Sequence, residues 1–322
     1  MLLRRCALLL GLLFPALLQA QVSDPVIITG APYSDPLPPP IAAQTAESQR
    51  LALQPIPSNL SDAELGLSSA AALVIDQEDG RLLYAKNTAA VMPIASITKL
   101  MSAMVVLDSG ARLDEMVVIS AEDVDRLKGT SSRLRPGVAL PRREMLRLAL
   151  MASENRAASA LARHYPGGTR AFVDAMNQKA KQLGMRDTRF VDPTGLNPSN
   201  VSTALDLARM VNAGYNYPLI RDFTTTESVE LAFSQTRRMR PVAFRNSNAL
   251  VRSGEWEIGL SKTGYISEAG RCLVMQARIA AKPVIIVLLD SWGKLTRIAD
   301  ANRIKRWVEA LDLHPPARPR IM

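Results

Sequence analysis

Segments that read as β-strands lie at both ends of this chain and enclose a middle that reads as mostly helical, an order that argues against a parallel doubly wound sheet. Ala70 to Asp76 and Arg81 to Lys86 flank Gln-Glu-Asp-Gly, a hairpin signal. Near the other end, Trp256 to Ile266, Arg271 to Ala277 and Pro283 to Asp290 read as three further strands. A helix is predicted from Thr296 to Leu311, with Ile298, Ala301, Ile304, Val308 and Leu311 on one face. The expected fold is α+β: an antiparallel sheet of about five strands flanked by helices, plus an all-helical lobe over roughly residues 97–225.

Three short clusters fall inside this frame in the order Ser96-Ile-Thr-Lys99, Ser153-Glu-Asn155 and Lys262-Thr-Gly264. Ser96 is followed by Leu100, Met101, Met104, Val105 and Leu107, whose spacing predicts a helix that starts near the serine and puts Lys99 on the same face. A serine hydroxyl becomes a nucleophile when a base takes its proton, and a lysine can be that base if burial lowers its ammonium pKa. Met92, Ile94 and Ala95 suggest such burial, and no acid within the helix is placed to hold Lys99 charged. A second Ser-x-x-Lys, Ser291-Trp-Gly-Lys294, follows the apolar run Val284 to Leu289 and reads as a loop. Ser153 to Asn155 sits at the break between helical patterns Arg143 to Met151 and Arg156 to His164, where it can point side chains into a cleft or serve as a helix N-cap. Lys262 to Gly264 lies in the strand-like stretch Ile258 to Ile266. Its lysine supplies positive charge, its threonine can bond a carboxylate, and its glycine admits a second backbone; a strand-end turn is the plainer reading.

Other chemistries fit poorly. The chain has two histidines, His164 and His314, and neither accompanies a nucleophile-elbow pattern. No His-Glu-x-x-His is present and Cys272 is the one cysteine outside the first twenty residues, so neither a catalytic metal nor a cofactor is expected. Residues 1–20 carry Arg4, Arg5, an apolar run from Ala7 to Leu18 and then Gln19-Ala20, which reads as an export signal cut near Ala20. The run is short for a bilayer span, so no stable membrane anchor is expected after cleavage, and the location is read as periplasmic. Losing Arg4 and Arg5 takes the formal charge from +9 to +7. Export makes nucleic acid an improbable partner for this basic chain; a carboxylate-bearing wall polymer fits as well as dispersed surface charge does. Residues 21–60 are proline-rich and read as a flexible leader, residues 61–313 as the catalytic domain, and residues 314–322 as a tail. Cys272, between apolar neighbours, reads as buried filler.

Taken together, the three clusters resemble the boxes of the penicillin-recognising serine transferase superfamily, which includes the β-lactamases and transpeptidases. The longer segments Ser96-Ile-Thr-Lys-Leu-Met-Ser-Ala-Met104, Ser153-Glu-Asn-Arg-Ala-Ala158 and Ser261-Lys-Thr-Gly-Tyr-Ile-Ser-Glu-Ala-Gly-Arg-Cys272 look like low-molecular-weight D-alanyl-D-alanine peptidases. They look most like the endopeptidase branch, the penicillin-binding protein 7 type, over roughly Ala70 to Leu311. The resemblance implies a β-lactamase/transpeptidase-like architecture with the site between lobes, and peptidoglycan and β-lactam antibiotics as partners. It makes Ser96 the acylated nucleophile, Lys99 its proton acceptor, Ser153 and Asn155 the relay and alignment groups, and Lys262 the electrostatic support. Thr263, Gly264 and Tyr265 would shape the substrate edge, the amides of Ser96 and Tyr265 the oxyanion hole, and Arg297 would hold a substrate carboxylate. Class A β-lactamases use a glutamate beyond Ser-x-Asn to activate water, and none occurs between Asn155 and Glu227, so β-lactams are expected to acylate Ser96 and leave slowly. After Lys-Thr-Gly there is room for one strand pair and one helix, which favours an endopeptidase over the common carboxypeptidases with their second domain and membrane-binding helix. A D-alanyl-D-alanine carboxypeptidase and a non-catalytic wall binder of the same fold are the alternatives.

Overall fold

The computed structural model describes residues 51–54, 65–234 and 239–313; the expected signal, leader and tail lie outside the described residues, except for the small parts of the leader and domain start that fall within them. The chain opens with the hairpin β1 (Ser69–Asp76) and β2 (Leu82–Lys86), then β3 (Met92–Pro93) and a 3-10 turn, Ala95–Ile97, that runs into α1 (Thr98–Asp108). The middle holds β4 (Met116–Val118), β5 (Ala139–Pro141), α2 (Arg142–Met151), α3 (Asn155–Arg163), α4 (Gly168–Gln182), β6 (Val201–Ser202), α5 (Ala204–Tyr215) and α6 (Pro218–Thr225). The final part holds β7 (Ser228–Ser234), β8 (Met239–Arg245), α7 (Ala249–Ser253), β9 (Glu257–Ile266), β10 (Gly270–Ile279), β11 (Lys282–Ser291) and α8 (Thr296–Leu313).

Five strands form one antiparallel sheet in the order β2-β1-β11-β10-β9, in which the first strand, β1, pairs with the last, β11. This is the expected α+β architecture, with boundaries shifted by one or two residues at most strand ends. The strands read as continuous apolar runs because the sheet is covered on both faces and side chains alternate between them. Ala71, Leu73 and Ile75 of β1 join Ile285, Val287, Leu289 and Cys272 in the core shared with the helical lobe, where α5 packs. Their neighbours Ala72 and Val74 join Ile286, Leu288, Leu273 and Met275 beneath Ala301, Ile304 and Val308 of α8. Cys272 is fully buried, and burial raises its thiol pKa to about 11, consistent with a filler role.

Three readings change. The lobe over roughly residues 97–225 is not all helical, because β4 pairs with β5 and β6 pairs with β3 within and beside it. The β7–β8 hairpin was not anticipated, although Val229 and Leu231 alternate with Ser228 and Glu230; it forms its own two-stranded sheet, and Leu231 and Phe244 pack into the larger core. Ser291 is the last residue of β11 rather than part of a loop. Its hydroxyl lies 2.7 Å from that of Ser69, which donates to Asp300 Oδ2 at 2.7 Å. Buried in that network, Ser291 is unavailable as a nucleophile, and Lys294 is exposed beyond it.

Candidate active site

β9 is an edge strand of the sheet, and its free side packs against the Ala95–Ile97 turn. Ser96 is held there by a constrained backbone. Ala95 has φ 45°, unusual for a residue with a side chain, and is 1% exposed. A loop before β6 braces it: Thr98 Oγ1 donates to Ala95 O at 2.8 Å and accepts from Asn200 Nδ2 at 3.0 Å. Gly195 of the same loop has φ 80°, and a Cβ there would lie 1.9 Å from Ala95 O. On the other side, a Cβ on Gly264 would lie 3.0 Å from Ile94 O and 3.1 Å from Ser96 N. The glycine of Lys-Thr-Gly thus brings β9 against the serine amide, at the start of α1 where free amides favour negative charge.

Lys99, on the first turn of α1, is 1% exposed and points at the serine. Its Nζ lies 2.8 Å from Ser96 Oγ, 2.7 Å from Asn155 Oδ1 and 2.7 Å from Thr194 O. Three acceptors match the three protons of an ammonium; for the neutral amine, Asn155 and Thr194 take two N–H groups and leave the lone pair toward Ser96. Burial brings the Lys99 pKa down from 10.5 to about 7, against the opposing pull of Asp192 and Glu154. The expectation that no acid supports its charge holds for its own helix alone: Asp192 and Glu154 act from other elements. Glu154, the middle residue of Ser153-Glu-Asn155, accepts from Ser132 Oγ at 2.6 Å, and burial raises its carboxyl pKa.

Ser153 occupies the tight turn between α2 and α3 with φ 61°, while Glu154 holds the N-cap position without a side-chain capping bond. The N-cap reading of Ser153 therefore does not describe it. Ser153 Oγ instead accepts from Lys262 Nζ at 2.9 Å, across from β9. Of the two groups, Asn155 bonds Lys99 and Ser153 bonds Lys262. Lys262 is 1% exposed, and burial followed by repulsion from Lys99 and Arg297 holds its ammonium well below its usual pKa. Thr263 Oγ1 donates to Ser247 Oγ at 2.7 Å.

These groups surround a cleft of about 250 Å³ lined by Ser96, Ser153, Asn155, Ser247, Thr263, Gly264, Tyr265 and Arg297. Arg297, one residue into α8, has buried Nε and Nη1 atoms with no hydrogen-bond partner among the described residues. Burial, then Arg271, lowers its guanidinium pKa. A half-buried cation with two buried, unpartnered nitrogens beside a polar cleft is suited to an anionic ligand. Tyr265 is 57% exposed, with the Arg271 guanidinium 4.5 Å from its ring centroid. Every sequence-predicted site residue lies in this cleft or bonds to a residue that does. Ser247 and Thr194 were missed: Ser247 sits between two asparagines with no spacing to mark it, and Thr194 acts through a backbone oxygen that any residue could supply.

The family described as D-alanyl-D-alanine carboxypeptidase matches residues 58–293. The chain is 51% identical over 243 residues to a D-alanyl-D-alanine endopeptidase of Pseudomonas aeruginosa, covering 76% of this chain and 78% of the relative. Against the D-alanyl-D-alanine endopeptidase of Escherichia coli it is 47% identical over 249 residues, covering 77% and 80% of the two chains. The solved structure of the Streptomyces K15 DD-transpeptidase superposes with a TM-score of 0.70 at 30% identity, covering 76% of this chain and 98% of that one.

Proposed function

The chain belongs to the D-alanyl-D-alanine carboxypeptidase family, and from that premise we propose that Ser96, Lys99, Ser153, Asn155 and Lys262 cleave D-alanyl cross-links in peptidoglycan. The protein is a serine D,D-peptidase, a hydrolase of the endopeptidase kind. The observation that carries the assignment of residues is Lys99 Nζ at 2.8 Å from Ser96 Oγ, with its proton affinity lowered to about 7. Neutral Lys99 takes the Ser96 proton as Oγ attacks the D-alanyl carbonyl. The developing oxyanion is received by the amides of Ser96 and Tyr265. As the C–N bond breaks, the departing amine takes the Ser153 hydroxyl proton and the proton held on Lys99 replaces it, which leaves Lys99 neutral again; Lys262, bonded to Ser153, supports that hydroxyl electrostatically. Water then cleaves the Ser96 ester, releasing the new carboxylate and returning the serine proton. Thr263 and Arg297 hold a substrate carboxylate, with Gly264 and Tyr265 forming the edge beside it.

In this reading the substrate is peptidoglycan, and β-lactams acylate Ser96 and leave slowly, since residues 156–226 contain no glutamate to activate the deacylating water. The protein is exported, its signal is cut near Ala20, and residues 21–60 lead to a peptidase domain over 61–313 that acts in the periplasm. Among the described residues, no helix is long and apolar enough to cross a membrane. Purified protein is expected to convert cross-linked muropeptide dimers into monomers, read by liquid chromatography. Release of terminal D-alanine from monomers with dimers intact would instead make it a carboxypeptidase.

Arg297 gives a separate test. Arg297→Leu removes a charge-assisted bond of about 1.5–3 kcal/mol, so KM for carboxylate-bearing peptides should rise about 10- to 100-fold with little change in kcat. The KM for a substrate analogue amidated at that carboxylate should be the same for the wild-type protein and Arg297→Leu. Equal losses on both substrates would assign Arg297 to packing.

A further inference from the structure

Asn155 has a planar amide whose oxygen and nitrogen are close in shape and opposite in hydrogen-bonding character, so its value to Lys99 depends on which end faces the amine. The surroundings decide this through a one-way chain. Asp125 accepts from the backbone N–H of Leu127 at 2.8 Å and Lys128 at 3.0 Å through Oδ1, and from Thr130 N at 2.9 Å through Oδ2. Burial raises the Asp125 carboxyl pKa, but these bonds outweigh it and hold the group below the usual carboxylate range. Ionised, it can only accept. Thr130 Oγ1, 2.7 Å from Asp125 Oδ2, must therefore spend its single proton there. Toward Asn155 the same hydroxyl can then only accept, and it does so from Nδ2 at 3.0 Å. Oδ1 is left facing Lys99 Nζ at 2.7 Å.

We propose that Asp125 and Thr130 are positioning residues that set the orientation of the Asn155 amide, and through it the acceptor pair that aims the Lys99 lone pair at Ser96. The proposal rests on the reading of Lys99 as the base. A flipped amide would present N–H groups to Lys99, draw its lone pair away from Ser96 and remove one acceptor from the ammonium. The segment is docked for this role: Ser132 bonds Glu154 at 2.6 Å, Lys128 pairs with Glu268 on the β9–β10 turn, and Arg133 bonds Ala243 O. Neither Asp125 nor Thr130 touches the cleft, and nothing in their spacing marks them in the sequence.

The experiment is the pH dependence of the acylation rate constant with a fluorescent penicillin. Thr130→Val keeps the shape and removes the hydroxyl. It should slow acylation about tenfold, with noncovalent affinity unchanged, and should move the acidic limb to lower pH because the Lys99 ammonium loses an acceptor. The charged groups facing Lys99 are Asp192 from the loop before β6, Glu154 from the α2–α3 turn and Lys262 from β9, and all stay in place. Thr130→Ser should restore both rate and limb. Should Thr130→Val melt early, Asp125→Asn reads the same property: its amide can donate to Thr130 and free that hydroxyl proton to face Asn155, so the limb should shift in the same direction. A wild-type limb in the folded variants, or a Thr130→Ser protein as slow as Thr130→Val, overturns the proposal. A protein that loses acylation on Ser96→Ala yet ignores these changes would leave the nucleophile assignment intact and defeat this inference alone.

Discussion

Ser96→Ala is expected to abolish both covalent penicillin binding and peptide hydrolysis, with hydrolysis falling by at least about 10⁴-fold. In the proposed mechanism Oγ is the atom that forms the acyl bond, so the drop is not a matter of degree set by geometry. The cleft and the oxyanion donors remain, and a loss of about 10⁴ corresponds to roughly 5.4 kcal/mol of transition-state free energy. Folding should be spared. Ser96 Oγ accepts one bond from Lys99, and the strained backbone around it is braced through Ala95, Thr98 and Gly195 rather than through the hydroxyl. Intact-mass measurement after incubation with a penicillin reads the result directly. The wild-type protein should gain one β-lactam mass and the variant none, at equal melting temperature. An adduct on the variant would transfer the nucleophile to another residue, with Ser153 the first to test because it lines the same cleft.

The second large effect concerns Lys99. Its ammonium titrates near 7 because burial disfavours the charged form, so the neutral base gains population as pH rises. Acylation should therefore stand near half its plateau at about pH 7 and fall about tenfold per unit below that. Lys99→Ala should lose at least about 10³-fold and, with the base gone, should lose this limb as well. A wild-type profile flat from pH 5 to 8 would mean that another group takes the proton. Lys262 is the competing candidate. It is equally buried and also lowered, yet its Nζ is bonded to Ser153 and to Thr263 O, which points to the leaving-group side of the cleft.

Much of the architecture was legible in local patterns. The five sheet strands and α8 follow from apolar runs and a 3.6-residue stripe, and the hairpin signal at Gln77 to Gly80 marks the β1–β2 turn. The β7–β8 hairpin escaped because its alternation is short and its pairing lies outside the main sheet. Of the site, Ser96 and Lys99 could be linked in advance, since residues three apart on a helix share a face whatever surrounds them.

Residue order and helix geometry thus determined that Ser96 and Lys99 share a face, the α+β class and the resemblance to D-alanyl-D-alanine peptidases. Tertiary structure alone decided which lysine Ser153 and Asn155 each serve, that Thr194 lends a carbonyl, and that Arg297 faces the cleft with no partner among the described residues. It also decided that Lys99 titrates near 7. The physical reason is range: periodicity and spacing report contacts within a turn or two, whereas pairings between residues 56 to 109 positions apart, and the desolvation of a lysine, arise only once separate elements pack around one cleft.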